Sequence, residues 1–267
     1  MPLIEVHEID DPRLHVYRHL KKTNLTRWSG QFIAEGKKLV VQLLESEFEV
    51  ESVLTSEKFV DLLEPLASGR RADVPIYVLP HRLAQMLVGQ KFHAGMLGCG
   101  IRHAPPPLTE LVTPDRRHLF VACAGTENPD NIGAILRIAA AFGVTAVLLG
   151  SGCSDPFSRR ALRVSMGNAL RVPVFEYGDE LSARLLDLKQ HCRAELVASL
   201  LADDAEHLRD VTLESSVVVL LGNEDAGLSD EFIELADRRV TIPMHSGTDS
   251  LNVSVAAGIF LHHFALR

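Results

Sequence analysis

Four cysteines in 267 residues, at positions 99, 123, 153 and 192, form no CxxC pair and show no regular spacing. Neither a disulfide framework nor a structural zinc site is therefore indicated, and the thiols are expected to be reduced and structural. No uninterrupted apolar run approaches the roughly 18 residues that a membrane-crossing helix requires. The N-terminal stretch MPLIEVHEIDD is acidic where a signal peptide needs a long apolar core. A soluble, cytoplasmic protein is the expectation. No repeat of fixed period and no low-complexity tract is present.

Positive charge is also short: the formal net charge is −8. That argues against a protein that coats nucleic acid by electrostatics alone, because such binding neutralises phosphates with Lys and Arg. The deficit is not spread evenly. Residues 1 to 120 hold 15 basic and 15 acidic side chains, and residues 121 to 267 hold 12 and 20. If RNA binds, the first half is expected to supply much of the grip.

What the chain has is alternation. The segment Ala104-Pro105-Pro106-Pro107 cannot lie inside a helix or a central strand, since proline lacks an amide donor and restricts the residue before it. A domain boundary is expected there, with a first domain at 1–104, a linker at 105–117 and a second domain at 118–267. Upstream, apolar runs at 50–56 and 75–80 alternate with helical patterns at 36–46 and 81–89, which predicts a small α/β domain. Downstream, apolar runs at 118–124, 144–150, 171–177, 194–201, 216–222 and 238–244 are separated by helical stretches, which predicts a mostly parallel sheet covered on both faces.

Ligands of open α/β sheets bind beyond the carboxyl ends of the strands, so the loops that leave them carry the search. After the run at 118–124 comes GTENPDNIGAILRIAAAFG, where Asn128 or Asp130 can cap a helix that buries Ile132, Ile135, Leu136, Ala139 and Phe142. Arg137 has Gly133, Ala134, Ala140 and Ala141 three and four residues away, none able to pair with it, so it can reach a phosphate. A solvated surface arginine is the alternative. After the run at 216–222, Gly222 and Gly227 bracket Asn223, Glu224 and Asp225, and Ser229 can cap the next helix. After the run at 238–244, Ser250 and Asn252 stand where an apolar helix begins; one of them can cap it, which leaves the other unexplained. The glycine pair Gly150 and Gly152 lacks the third glycine of a dinucleotide fingerprint and meets Pro156 where a helix would start, which argues against a nicotinamide-dependent oxidoreductase. His93, Cys99 and His103 have no fourth ligand at suitable spacing, so no metal is expected.

With these loops in order, the chain resembles the SpoU/TrmH family of RNA 2'-O-ribose methyltransferases of the SPOUT superfamily. The resemblance covers about residues 118–267 through Asn131-Ile132-Gly133 with Arg137, through LLGNEDAGLS and through IPMHSGTDSLNVSVA. It implies a C-terminal chain segment threaded into a deep trefoil knot, a homodimer, and S-adenosyl-L-methionine as cofactor. It further implies cofactor contacts from Leu221, Gly222, Ile242, Met244 and Leu251, and a polar catalytic set of Asn131, Arg137, Glu224, Ser250 and Asn252. The substrate implied is RNA, with rRNA favoured over tRNA. The first domain resembles, less specifically, the ribosomal-protein-like substrate-binding domain through FIAEGKKLV and FHAGMLGCGI, with Arg27, Lys37 and Lys38 as candidate phosphate contacts. A catalytically silent RNA-docking module is the alternative; the intact polar set counts against it.

Overall fold

The computed structural model describes residues 1–18, 20, 26–63, 71–88, 95–113, 116–245 and 250–265. The chain divides into two compact units, one formed by Met1–His103 with Phe157–Leu170, the other by Ala104–Pro156 with Arg171–Arg267. The excursion of Phe157–Leu170 into the first unit was not visible in the sequence, which reads as one domain beyond 118.

In the first unit the strands are β1 (Leu3–Glu5), β2 (Gln31–Glu35), β3 (Glu49–Ser56), β4 (Ile76–Leu79) and β5 (Met96–Ile101), joined with helices α1 (Thr26–Ser29), α2 (Lys37–Glu45) and α3 (His81–Val88). They make one mixed sheet in the order β1-β4-β3-β5-β2. Parallel pairs β1–β4 and β3–β4 adjoin antiparallel pairs β3–β5 and β2–β5. One buried cluster gathers Leu14, Tyr17, Ile33, Leu54, Leu79, Leu87 and Leu97. Apolar positions Leu39, Val40, Leu43 and Leu44 of α2 are all buried, as their helical spacing requires. Glycine is required in β5: a Cβ on Gly100 would lie 2.3 Å from the Phe32 ring. Two of the three residues weighed as metal ligands have other partners. The Cys99 thiol is buried 3.6 Å from a Glu51 carboxylate oxygen and the His103 ring stacks at 4.4 Å on Phe48, while His93 lies outside the described residues.

The excursion joins this unit through Phe157, whose ring sits 5.2 Å from Phe32 and 5.3 Å from Phe48, with the Arg102 guanidinium 4.7 Å above it. Helix α6 (Arg159–Val164) follows, capped by Ser158 through its hydroxyl to the Ala161 amide.

The second unit begins with coil through the three prolines, then α4 (Leu108–Leu111). Its strands are β6 (Leu119–Cys123), β7 (Ala146–Gly150), β8 (Val174–Gly178), β9 (Glu195–Ser199), β10 (Glu206–His207), β11 (Val217–Leu221) and β12 (Arg238–Thr241), and its other helices are α5 (Pro129–Ala141), α7 (Leu181–Cys192), α8 (Asp230–Leu235) and α9 (Val253–Ala265). All six strand pairings are parallel, in the order β10-β12-β9-β11-β6-β7-β8. Every residue of β7 and β11 is buried, because the sheet is covered on both sides. One face packs Phe120, Ala122, Leu148, Leu196, Val218 and Leu220 against Leu181, Leu185 and Leu188 of α7. Helices α5 and α9 pack on each other, and α9 packs on β6 and β11. A parallel sheet puts all its strand-exit loops at one edge, where the site lies. No helix among the described residues is long and apolar enough to cross a membrane.

Burial of Phe157 is one of the contacts that tie the excursion to the first unit. Phe157→Ala is expected to lower stability by about 3–5 kcal/mol, read from urea unfolding. A loss below about 1 kcal/mol would contradict that anchoring role.

Candidate functional site

Helix α5 starts with Asn128 as its cap, the side-chain oxygen accepting the Asp130 amide at 2.9 Å, and with Pro129 at the first helical position. Ile132, Ile135, Leu136 and Ala139 are buried as expected, whereas Phe142 closes the helix half-buried, 5.8 Å from the His262 ring. Burying that stripe also buries Asn131, which is 6% exposed and must satisfy its amide.

Two partners from distant loops do so. Asn131 Nδ2 donates to Glu224 Oε1 at 2.7 Å, and Asn131 Oδ1 accepts from Asn252 Nδ2 at 3.0 Å. Asn252 resolves the question of which polar residue caps α9: its Oδ1 accepts the Ser254 amide at 2.9 Å, and its carbonyl accepts the amides of Val255 and Ala256. One side chain thus caps a helix and bridges to another. Ser250 is left exposed to line the cavity. Ser229 stands at the start of α8 without a side-chain capping bond.

The loop that carries Glu224 organises itself. Asn223 and Gly227 exchange backbone hydrogen bonds at 2.9 and 3.0 Å, and Asn223 Oδ1 accepts the amides of Asp225 and Ala226 at 3.0 Å each. Asn223 Nδ2 donates to the Gly125 carbonyl at 2.8 Å, tying this loop to the one that leaves β6. A Cβ on Gly222 would sit 2.2 Å from the Gly227 carbonyl carbon, so the close approach that demands glycine there is made by the chain's own backbone. Gly227 has φ +71°, a region that favours glycine.

Burial by itself raises a carboxyl group's pKa. For Glu224 the hydrogen bonds from Asn131 and from the backbone amides of Glu224, Glu127 and Asn128 outweigh that effect and hold it below the ordinary value. Glu224 is therefore an anion at neutral pH.

These loops enclose a cavity of about 590 Å³ lined by Leu221, Gly222, Glu224, Ile242, Met244, Ser250, Leu251 and Asn252. Eight of the ten residues proposed from sequence for catalysis and cofactor contact thus share one cavity, and Asn131 is bonded to two of them. Arg137 does not line it: the side chain is exposed, with no hydrogen bond or ion pair among the described residues. Residues 246–249, the middle of the third motif, lie outside the described residues. Lys37 and Lys38 are exposed in the first turn of α2, and Arg27 is exposed on α1, all in the first unit. The sequence reading missed Ser199, Leu200 and Leu201, which line the cavity from the exit of β9, and Asn223, which shapes its rim.

Volume and lining suit a nucleoside-bearing sulfonium. The cavity falls within the usual small-molecule range, its apolar side chains suit an adenine ring, and the anionic Glu224 suits a cation. Burial pushes the Cys99 and Cys123 thiols well above the ordinary value, so neither is a ready nucleophile.

A family model described as the SpoU rRNA Methylase family matches residues 118–262, more than half of the chain and all three motif loops. The chain belongs to the SpoU rRNA methylase family. Among curated relatives, this SpoU protein is similar to an uncharacterized tRNA/rRNA methyltransferase of Mycobacterium tuberculosis, 32% identical over 96% of this chain and 89% of the relative. It is also similar to the 23S rRNA (guanosine(2553)-2'-O)-methyltransferase RlmP of Bacillus subtilis, 26% identical over 95% of this chain and 94% of that one. Among solved structures, the AdoMet-bound rRNA methyltransferase of Sinorhizobium meliloti superposes with a TM-score of 0.83 at 25% identity, covering 98% of this chain and 97% of the other. The cofactor of this SpoU methylase is S-adenosyl-L-methionine.

Two outcomes follow from the geometry. Gly222→Ala is expected to displace the 222–228 loop and weaken S-adenosylhomocysteine binding by at least about tenfold in calorimetry; wild-type affinity would show that the backbone contact is dispensable. Because the folded-state pKa of Glu224 is depressed, its contribution to stability is complete above the ordinary glutamate pKa and disappears as pH falls through the folded value. The stability gap between wild type and Glu224→Gln, from urea titrations, should therefore be widest at neutral pH and close in acid. A gap that is constant with pH would contradict an ionised Glu224.

Proposed function

We infer that this chain is an S-adenosyl-L-methionine-dependent RNA ribose 2'-O-methyltransferase that acts on rRNA. The observation that carries the reading is the pair of hydrogen bonds by which Asn131 joins Glu224 and Asn252, one side chain from each of the three motif loops, at the wall of a cofactor-sized cavity. S-Adenosyl-L-methionine, when bound, supplies an electrophilic methyl group on a cationic sulfonium. The protein has to orient a ribose hydroxyl toward that methyl and assist loss of the hydroxyl proton.

Leu221, Gly222, Ile242, Met244 and Leu251 form the cofactor slot in this proposal, with backbone groups and apolar surface in place of charged side chains. Glu224, Ser250, Asn252 and Asn131 make up the polar wall. Arg137 clamps the phosphate next to the target ribose and stabilises the developing alkoxide. An arginine remains protonated in proteins, so an electrostatic role suits it better than that of a base. Its exposure, with no ion pair among the described residues, supports this assignment.

Because Arg137 lies off its own chain's cavity, a homodimer in which one chain's Arg137 serves the partner's cavity fits the arrangement. The support is an apolar stripe on α9, where Val255 is 50% and Ile259 39% exposed one helical turn apart. A trefoil knot in the second unit is supported by the return of α9 across α5, β6 and β11. The division at the proline segment is taken as that between a substrate domain and the methyltransferase domain, with Arg27, Lys37 and Lys38 as phosphate contacts in the former. A cytoplasmic location agrees with an rRNA substrate.

Arg137→Ala is expected to abolish methyl transfer from labelled cofactor to rRNA while leaving thermal stability and calorimetric S-adenosylhomocysteine binding near wild type. The loss of one charge-assisted contact accounts for about 1.5–3 kcal/mol, or about ten- to 150-fold, so complete loss means that positioning fails too. Wild-type turnover in the variant would remove Arg137 from the mechanism.

A further inference from the structure

The second unit holds 11 basic and 22 acidic side chains, and the imbalance reaches the cofactor cavity. From Asp210 to Leu266 the only lysine or arginine residues are Arg238 and Arg239. Both stand at the start of β12, away from the strand exits, and both are paired: Arg238 Nη2 lies 2.9 Å from Glu206 Oε2, and Arg239 Nη1 lies 3.0 Å from Asp204 Oδ2. Among the described residues no lysine or arginine lines the cavity, whereas Glu224 and Asp225 both do.

The backbone amide of Asp225 donates to Asn223 Oδ1 at 3.0 Å, inside the turn that Asn223 and Gly227 close, so the main chain sets the position of the residue. Its carboxylate is exposed and makes no ion pair or hydrogen bond among the described residues. Asn223 Nδ2 also donates to Glu127 Oε1 at 3.3 Å, which brings a third carboxylate to the same turn. Like charges gathered there repel one another, and apolar walls screen their field less than water does, so the cavity favours a cation.

Methyl transfer changes the charge at one atom. The ribose oxygen bonds the methyl carbon, the sulfur keeps the electron pair of the bond that breaks, and the hydroxyl gives up its proton to water. A sulfonium thereby becomes a neutral thioether. Donor and product differ by one methyl group and one positive charge.

We propose that Asp225, acting with Glu224, makes the cavity select its occupant by charge and hold the sulfonium donor more tightly than the thioether product. Asp225 is then a specificity-determining residue that favours exchange of spent cofactor for fresh. The inference rests on the cofactor assignment and adds this selectivity to it. Asp225 tests it more cleanly than Glu224 does: Glu224 is bonded to Asn131, whereas Asp225 can lose its charge with its backbone bonds intact.

The test is calorimetric titration of the full chain with S-adenosyl-L-methionine, S-adenosylhomocysteine and sinefungin, an analogue with an amine cation in place of the methyl sulfonium. The wild type is expected to bind both cations more tightly than S-adenosylhomocysteine, with the difference narrowing as salt rises from about 0.05 to 0.5 M. Asp225→Asn is expected to weaken both cations by about two- to fivefold, the range of an exposed ion pair, and to leave S-adenosylhomocysteine unchanged. Asp225→Glu should keep the wild-type preference. Equal wild-type affinities for donor and product would overturn the proposal and leave the cofactor assignment standing. An equal loss for all three ligands in Asp225→Asn would overturn it by showing a structural role, and wild-type affinities in that variant would overturn it outright. A wild type that binds none of the three would overturn the cofactor assignment and the selectivity with it.

Discussion

A buried carboxamide that has to be satisfied holds the second unit's site together. Asn131 occupies the inward face of an apolar helix, and an unmatched amide there costs about 1–3 kcal/mol. Its donor goes to Glu224 and its acceptor to Asn252. Those two bonds bring together loops more than ninety residues from Asn131 in each case. Glu224 stays ionised because it is the anchored acceptor, and Asn252 can cap α9 with its oxygen because its nitrogen is already committed.

The parallel sheet makes this junction possible. With all strands aligned, their exits reach one edge, and the cavity forms where those of β9, β11 and β12 converge. Charge and cavity both divide between the units. The second unit carries the acidic excess and the cavity, with apolar lining beside the anionic Glu224.

Much of this was legible in the sequence, for physical reasons that can be named. The six downstream apolar runs became β6, β7, β8, β9, β11 and β12 because burial on both faces makes such strands continuous in hydrophobicity. The motif loops could be located because functional loops follow parallel strands, and the resemblance then supplied the residues. Two-residue β10 and three-residue β1 were not legible, since strands so short carry no period. The reason for glycine at 222 also escaped, because its crowding neighbour is Gly227 folded back by a turn. Least visible was the excursion of Phe157–Leu170. Nothing local in FSRRALRVSMGNAL states that its phenylalanine completes a ring cluster with Phe32 and Phe48. Which polar residue caps α9 likewise depends on a tertiary partner, Asn131, that the local pattern does not name.

The central claim is that Asn131 assembles the cofactor site through its donor to Glu224 and its acceptor from Asn252. Asn131→Asp keeps the size and the acceptor but replaces the donor with a carboxylate facing Glu224. Calorimetric titration with S-adenosylhomocysteine measures the consequence directly. The account predicts binding by the wild type and a loss of at least about tenfold in the variant, the equivalent of about 1.4 kcal/mol. Equal affinity in the two proteins would contradict it.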